Sequence, residues 1–322
     1  MKSDSSFEDL RRKTAFSNKV PSKSTLPGEK SVKILQGPAF FGGTWGVFGL
    51  KRDRIGMCLR MVGDLILPRF CLVCGRVLNA GEGGNGDDRK AVEEHLCVAC
   101  WKDLPQTRYW KLRENPMAES FNALIQRNMG EDVRYQPYGF AAALYFYKGG
   151  YREISKALKY RRNFATGRWF GRLLGQTLAE TEFFRDVDLV VPIPLHWSRR
   201  WKRGYNQAEV IAREVARELK ARCEPRLLRR ARRTKTQTHL NAEGRAANVA
   251  GAFRVNTQRW HVIGKNEPRH LLLIDDVFTT GATAAACERA IRLALQAGEW
   301  GFGSKTAGQI RISVATLACV AH

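Results

Sequence analysis

Four cysteines of the chain are spaced as two pairs, Cys71-x-x-Cys74 and Cys97-x-x-Cys100, with 22 residues between the pairs. Each pair can present two sulfurs on one tight turn, and two such turns close a tetrahedral thiolate site. Four thiolates leave no open coordination position, so the spacing predicts a structural Zn²⁺ rather than a catalytic one. Four unrelated buried cysteines are the alternative that the sequence leaves open.

A second stretch with the residue types for chemistry is "LLLIDDVFTTGAT", residues 271–283. An aliphatic strand that ends in Asp275 and Asp276 and continues in small residues has the parts of a ribose 5-phosphate site. The small residues let backbone N–H groups close around a phosphate at the positive end of the following helix. Further hydroxyl donors would come from Thr279, Thr280 and Thr283. The carboxylates can accept from sugar hydroxyls and help to hold Mg²⁺, whereas the alternative is a strand that ends in a solvated turn.

These residues need a scaffold, and helix and strand signals alternate from Tyr147 onward. Helices are predicted at 150–162, 165–180 and 206–222 and after residue 281. Strands are predicted at "DLVVPIP", "AFRVN", "HLLLI" and "RISVATLACV". The alternation predicts an α/β fold, with a mostly parallel sheet and helices on both faces.

The predicted domain organisation has four parts. Residues 1–56 have no sustained period and are predicted to be a basic, poorly ordered extension. A small zinc-binding module is expected at 57–110, a connecting segment at 111–146 and the α/β domain at 147–322.

The composition limits the partners and the compartment. The chain has 322 residues, with 54 Lys and Arg against 31 Asp and Glu, which gives a net charge of +23. Such an excess favours polyanionic partners, meaning nucleic acid, phosphorylated metabolites or an anionic membrane surface. We find neither the pattern of a signal peptide nor a run of about 20 apolar residues, so we expect a cytoplasmic protein without a membrane span.

The order of the motifs resembles that of a known family. Residues 271–283 resemble the phosphoribosyl-pyrophosphate (PRPP) loop of type I phosphoribosyltransferases. Over roughly residues 57–320 the chain is similar to the ComF family, which is related to amidophosphoribosyltransferases. The similarity includes the four cysteines, "KALKY" at 156–160, "VPIPLH" with "RGYNQ" at 203–207, and "RRTKTQTHLNAEGRAANVAGAF" at 232–253. The N-terminal extension and a glycine-rich insertion between the cysteine pairs depart from the family's pattern.

The resemblance implies a type I phosphoribosyltransferase-like fold that binds PRPP, or a related ribose 5-phosphate, with Mg²⁺. It places the ribose hydroxyls at Asp275 and Asp276. It places the 5-phosphate at Thr279, Thr280, Gly281, Ala282 and Thr283. The pyrophosphate would meet Pro194, Leu195 and His196, with Lys159 as a counter-charge. On its residue type alone, His196 could equally be a surface histidine at a strand end.

Residues 232–248 match the flexible hood that closes over bound PRPP in related enzymes. The resemblance places the catalytic residues at Arg232, Arg233, Thr234, Gln237 and Arg245. The stretch is cationic and has few apolar anchors, so we expect it to be mobile when the site is empty. A solvated basic loop is the alternative.

Three functions stay open, because no pocket for an acceptor base is recognisable in the sequence. The first is phosphoribosyl transfer to a nitrogen acceptor, in DNA uptake during natural competence or in nucleotide metabolism. The second is a regulator that senses PRPP without chemistry. The third is handling of single-stranded DNA, as the family name implies, together with other competence or DNA-uptake proteins.

Two clusters that mix cations with aromatic residues motivate the third function, because such mixtures can follow a phosphate backbone and stack bases. The first contains Tyr151, Arg152, Lys159, Tyr160, Arg161, Arg162 and Phe164. The second contains Trp197, Arg199, Arg200, Trp201, Lys202, Arg203 and Tyr205. Basic helix faces over core aromatics are the alternative.

Overall fold

The aliphatic stretches of the sequence form the strands of a parallel sheet. The computed structural model describes residues 68–78, 95–129, 138–160, 163–195, 201, 203–230, 251–256, 258–259, 268–297 and 310–321. The strands in these ranges are β1 Ala141–Phe146, β2 Leu189–Pro192, β3 Arg222–Cys223, β4 Leu228–Arg230, β5 Phe253–Val255, β6 His270–Phe278 and β7 Arg311–Cys319. The helices are α1 Val98–Lys102, α2 Pro116–Met129, α3 Tyr151–Tyr160, α4 Phe164–Ala179, α5 Gln207–Glu218 and α6 Ala282–Gln296.

The main sheet of the described residues has five strands in the order β1-β7-β6-β2-β3. All four neighbouring pairs are parallel. The strands β4 and β5 form a separate antiparallel pair. In a parallel sheet the carboxyl ends of the strands meet at one edge, so the ends of β2 and β6 lie side by side.

Helices cover both faces of this sheet, which confirms the predicted fold class. Along β6, Leu271 and Leu273 join a core with residues of α2 and α6, whereas Leu272 and Ile274 join a core with α3, α4 and α5. Burial on both faces explains why the strand is continuously aliphatic instead of alternating. None of the helices in the described ranges is long and apolar enough to cross a membrane.

The stretch predicted as a connecting segment contributes to the fold. It contains α2, whose Phe121 is fully buried, and β1, which pairs with β7 at the edge of the sheet. The sequence of β1 is "AAALYF". Alanine has a low strand propensity, so the strand forms because its neighbours in the sheet bury it, which local pattern does not reveal.

The four-cysteine segment packs directly against the helices on one face of the sheet. Leu96 and Leu104 are buried in the same core as Phe170 of α4. The indole rings of Trp101 and Trp169 meet edge to face, with centroids 5.2 Å apart. The segment and the sheet are therefore coupled through a shared apolar core.

The close packing of α4 on α5 depends on glycine. A Cβ atom at Gly171 would lie 3.0 Å from both the Cα atom and the carbonyl oxygen of Ile211. We expect Gly171→Ala to lower the free energy of unfolding by about 1–3 kcal/mol, because the backbone of α5 must shift to make room. Urea denaturation measures this change.

Gly167→Ala, one turn earlier, is the matched control for that substitution. Its Cβ would meet only side chains, the nearest being that of Val210 at 3.2 Å. That side chain can move, and alanine favours the helix by up to about 1 kcal/mol. A Gly171→Ala protein as stable as the Gly167→Ala protein would show that backbone contact does not limit the packing of these helices.

Candidate functional site

The loop between β6 and α6 is shaped by one glycine. Gly281 precedes the first residue of α6 and has φ = 78°, which is left-handed backbone that favours glycine. A Cβ atom there would also lie 2.5 Å from the ring of Phe278. The first turn of α6 contains no acidic residue. The turn therefore brings an electropositive helix end, without an acidic side chain in its first turn, to the carboxyl edge of the sheet.

A depression opens at this helix end. Its lining includes Asp275, Thr279, Gly281 and Thr283 from the loop and the helix, together with Thr316 of β7. Three hydroxyl-bearing residues and one carboxylate thus line one small space at the start of a helix. This combination can hold a phosphate at the helix end and a hydroxyl donor at the carboxylate.

The strand β6 continues through both carboxylates, so it is longer than the predicted "HLLLI". Burial, together with the neighbouring charge of Asp276, raises the pKa of Asp275 well above its usual value. The backbone N–H of Asp276 donates to the Oδ1 atom of Asp275, at 2.8 Å. A cation or a hydroxyl donor would relieve the repulsion between the two acids.

The second carboxylate faces a different neighbour. The Oδ2 atom of Asp276 lies 3.1 Å from the Nζ atom of Lys159, and both side chains are about four-fifths shielded from solvent. Successive strand residues point to opposite faces, so the two carboxyl groups leave the strand in different directions. The structure thus brings Lys159 together with Asp276.

The residues after β2 form another side of the candidate site. The N–H of Ile193 donates to the carbonyl oxygen of Ile274, at 2.8 Å, which holds this segment beside β6. Ile193 also lines the depression. Pro194 and Leu195, the predicted pyrophosphate contacts, follow it and are half-buried.

The "RGYNQ" motif connects the segment after β2 with the end of α3. The sequence analysis did not assign this role. The amide of Asn206 donates to the carbonyl oxygen of Ile193, at 3.1 Å. The hydroxyl of Tyr205 and the amide of Gln207 both donate to the carbonyl oxygen of Leu158, next to Lys159. Three consecutive residues with polar groups at the start of a helix were the signal that could have suggested this role.

Two of the predicted phosphate contacts in the described part of the chain do not line the depression. Thr280 and Ala282 are half-buried in the loop and the first turn of α6. His196, Arg232, Arg233, Thr234, Gln237 and Arg245 lie outside the described residues.

The four paired cysteines come together as predicted. Their sulfur atoms all lie within 4.8 Å of one another, so the cluster could hold a metal ion such as zinc. The first pair lies on a turn in which the N–H of Gly75 donates to the carbonyl oxygen of Cys71, at 3.0 Å. Gly75 has φ = 72°, which lets the chain reverse tightly after Cys74.

The electrostatics of the cluster suit a cation. Burial opposes ionisation of Cys71, yet the backbone N–H groups of Cys74, Cys97 and Val73 lower the pKa of its thiol to about 7. Burial and the neighbouring sulfurs raise the pKa of Cys100. Four close sulfurs therefore cannot all ionise unless a positive charge lies between them, which a divalent metal supplies.

At the opposite edge of the sheet, His270 connects an aspartate and a serine. Its ring nitrogens lie 2.7 Å from Asp186 Oδ1 and 2.7 Å from Ser313 Oγ. The hydrogen bond with His270 lowers the pKa of Asp186 against the opposing effect of burial. Ser313 has no solvent exposure, so this arrangement ties strands together and cannot act as a nucleophile.

The mixed basic and aromatic clusters divide by burial. Tyr151 is fully buried and Tyr205 is nearly so, which corrects their inclusion among stacking residues. Tyr160, Phe164 and Trp201 are 70%, 42% and 87% exposed and present ring surface to solvent. Arg161, Arg162, Trp197, Arg199, Arg200 and Lys202 lie outside the described residues.

Comparison with known proteins identifies distant relatives. The chain is 31% identical to Competence protein F of Haemophilus influenzae over 153 residues, which are 45% of this chain and 64% of the relative. It is 35% identical to the DNA utilization protein YhgH of Escherichia coli K12 over 98 residues, which are 30% of this chain and 40% of the relative. The YhgH protein of Salmonella typhi is 37% identical over 99 residues. No family model matches the chain.

Proposed function

Because the chain is a distant homologue of Competence protein F and the YhgH proteins, we propose that it binds PRPP and transfers its phosphoribosyl group to a nitrogen acceptor. The observation that carries this proposal is the depression at the carboxyl edge of the sheet. There Asp275, Thr279 and Thr283 surround the N-terminal end of α6. We further propose that the protein acts in DNA uptake or nucleotide metabolism.

Each part of the site has a task in this proposal. The N–H groups and hydroxyls at the start of α6 bind the 5-phosphate. Asp275 and Asp276 accept hydrogen bonds from the ribose hydroxyls and would hold Mg²⁺, which neutralises the pyrophosphate when it is bound. The segment with Pro194 and Leu195, which follows Ile193 beside the depression, would contact the pyrophosphate as it leaves. The roles of His196 and of residues 232–248 stay predictions from the sequence.

The chemistry needs no covalent nucleophile. Displacement of pyrophosphate from C1 of the ribose builds positive charge on the sugar and negative charge on the leaving group. The protein has to position the two reactants, stabilise these charges and exclude water. Carboxylates near the sugar and a lysine near the leaving group suit this charge distribution.

Turnover tests the proposal directly. PRPP and Mg²⁺ are incubated with the protein and a panel of bases and amines, and the release of pyrophosphate is measured. We expect release that depends on one class of acceptor. Binding of PRPP without release under any acceptor would support a PRPP-sensing regulator instead, and no binding would contradict the assignment of the site.

A second function is favoured by the exposure of Tyr160, Phe164 and Trp201. The chain combines these rings with a net charge of +23, and exposed aromatics beside cations suit single-stranded nucleic acid. We therefore also propose that the protein binds single strands, and this binding is compatible with a PRPP site.

Removal of one exposed ring should weaken this binding. We expect Trp201→Ala to lower the affinity for an oligothymidylate by roughly 1–3 kcal/mol if a base stacks there. Affinity should also fall steeply as salt rises, since each phosphate contact releases counterions. Fluorescence anisotropy at several salt concentrations measures both effects.

Leu293→Ala is the control for the loss of an exposed apolar side chain, because Leu293 is 54% exposed on α6. It should bind like the parent. Binding that is absent at low salt, or that is indifferent to salt, would reduce the clusters to solvated basic faces.

A further inference from the structure

The contact between Lys159 and Asp276 joins a residue proposed for the pyrophosphate to one proposed for the ribose. Their charged atoms lie 3.1 Å apart, and both side chains are about four-fifths shielded. The Oδ2 atom of Asp276 is buried, yet it accepts no hydrogen bond of good geometry from the described residues. The pair is thus an electrostatic contact without the geometry of a well-formed hydrogen bond, which makes its partners easy to exchange.

The backbone of Lys159 is held by its helix, and its side chain has more than one neighbour to which its charge can turn. Lys159 lies in the last turn of α3, and the carbonyl oxygen of the preceding Leu158 accepts hydrogen bonds from Tyr205 and Gln207. The ammonium group lies 5.8 Å from the ring centroid of Tyr147, within reach of a cation–π interaction. A lysine has four flexible carbons, so its charge can move while the helix stays in place.

Charge balance determines where the ammonium group of Lys159 goes when the site fills. Asp275 and Asp276 are adjacent, and Lys159 is the cation that faces Asp276 among the described ion pairs. A ligand that brings its own cation or hydroxyl donors to Asp276 replaces this neutralisation. The displaced ammonium group is then a shielded positive charge that needs a new anion.

We infer that Lys159 exchanges partners, neutralising Asp276 in the empty site and passing to a phosphate of the pyrophosphate group when Mg²⁺ and PRPP bind. The inference rests on the proposed function. It makes Lys159 a competitor of a metal ion that binds alone, and a supporter of the metal that binds with PRPP. A structural ion pair, in contrast, would affect both kinds of binding in the same direction.

Lys159→Met separates these possibilities, because it removes the charge and keeps a long unbranched side chain. The affinity for Mn²⁺ alone, as a probe of the Mg²⁺ site, is expected to rise about tenfold because the competing charge is gone. The affinity for PRPP with Mg²⁺ is expected to fall about tenfold, the equivalent of one lost charge-assisted hydrogen bond. Electron paramagnetic resonance measures the first affinity and calorimetry the second.

Two further variants complete the design. Lys159→Arg keeps the charge and should return Mn²⁺ affinity to that of the parent. Lys156 lies on the same helix and forms an ion pair with the exposed Glu153, so Lys156→Met removes a lysine away from Asp276. It should leave both affinities unchanged, which excludes a general effect of net charge.

The outcomes distinguish the inference from the proposed function. A parent protein that binds no PRPP overturns both. A parent that binds PRPP, together with a Lys159→Met protein whose two affinities fall together or stay unchanged, overturns the partner exchange alone. Opposite changes in the two affinities, with rescue of Mn²⁺ binding by arginine, support it.

Discussion

Replacement of Cys97 by serine is expected to abolish metal binding by the four-cysteine cluster. The parent should carry close to one zinc per chain, because the four sulfurs lie within 4.8 Å of one another and only a cation allows them to ionise together. The variant loses one of four ligands at a closed tetrahedral site, so its zinc content should fall to nearly zero. Elemental analysis of protein purified without chelator gives both values.

The loss should extend beyond the cluster. A cysteine module that is separate from the α/β domain, as the sequence predicts, would unfold alone when the metal is lost. Since Leu96 and Leu104 lie in the same core as Phe170, we expect from the structure that the α/β domain is destabilised as well. Truncation of one such buried leucine costs about 2–5 kcal/mol, so a loosened contact between these side chains and the core should lower the Tm in thermal denaturation.

Cys223→Ser is the control for this experiment, because Cys223 lies in the edge strand β3 and outside the cluster. It should keep its zinc. A parent protein without zinc, or a Cys97→Ser protein with a full complement, would contradict the metal assignment.

The second large effect is expected at Asp276. Asp276→Asn keeps the shape of the side chain and removes the charge that would accept from a ribose hydroxyl and hold Mg²⁺. Each lost charge-assisted hydrogen bond costs about 1.5–3 kcal/mol, so the affinity for PRPP should fall by about 10- to 100-fold or more. Calorimetry with PRPP and Mg²⁺ measures the loss, and circular dichroism shows whether the fold is kept.

A matched control removes a carboxylate away from the site. Glu209→Gln breaks the exposed ion pair with Arg213 on α5, whose charged atoms lie 2.8 Å apart. Exposed pairs contribute about 0–1 kcal/mol, so PRPP affinity should stay unchanged. If Asp276→Asn binds PRPP as well as this control, the ribose assignment is wrong.

The parts of the fold that the sequence predicts well are those in which local pattern and burial agree. The strand β6 is continuously aliphatic because both faces are buried, and its order among helices indicates a parallel sheet. The cysteine cluster is predictable because spacing alone determines which sulfurs can meet. In both cases few residues close in sequence carry the signal.

Other features depend on contacts between distant residues and escape sequence reasoning. The strand β1 is half alanine and forms because β7 lies beside it. Tyr151 and Tyr205 have aromatic side chains that could stack on bases, but both rings are buried and cannot reach a base. The pairing of Lys159 with Asp276 likewise depends on how α3 packs against the sheet.

A calorimetric titration of the parent protein with PRPP, in the presence and absence of Mg²⁺, tests the proposed site most directly. We predict saturable binding of one PRPP per chain that is stronger with Mg²⁺, together with weaker binding of ribose 5-phosphate, which lacks the pyrophosphate. Absence of PRPP binding with Mg²⁺ would contradict the proposed site, and so would equal affinities for PRPP and ribose 5-phosphate.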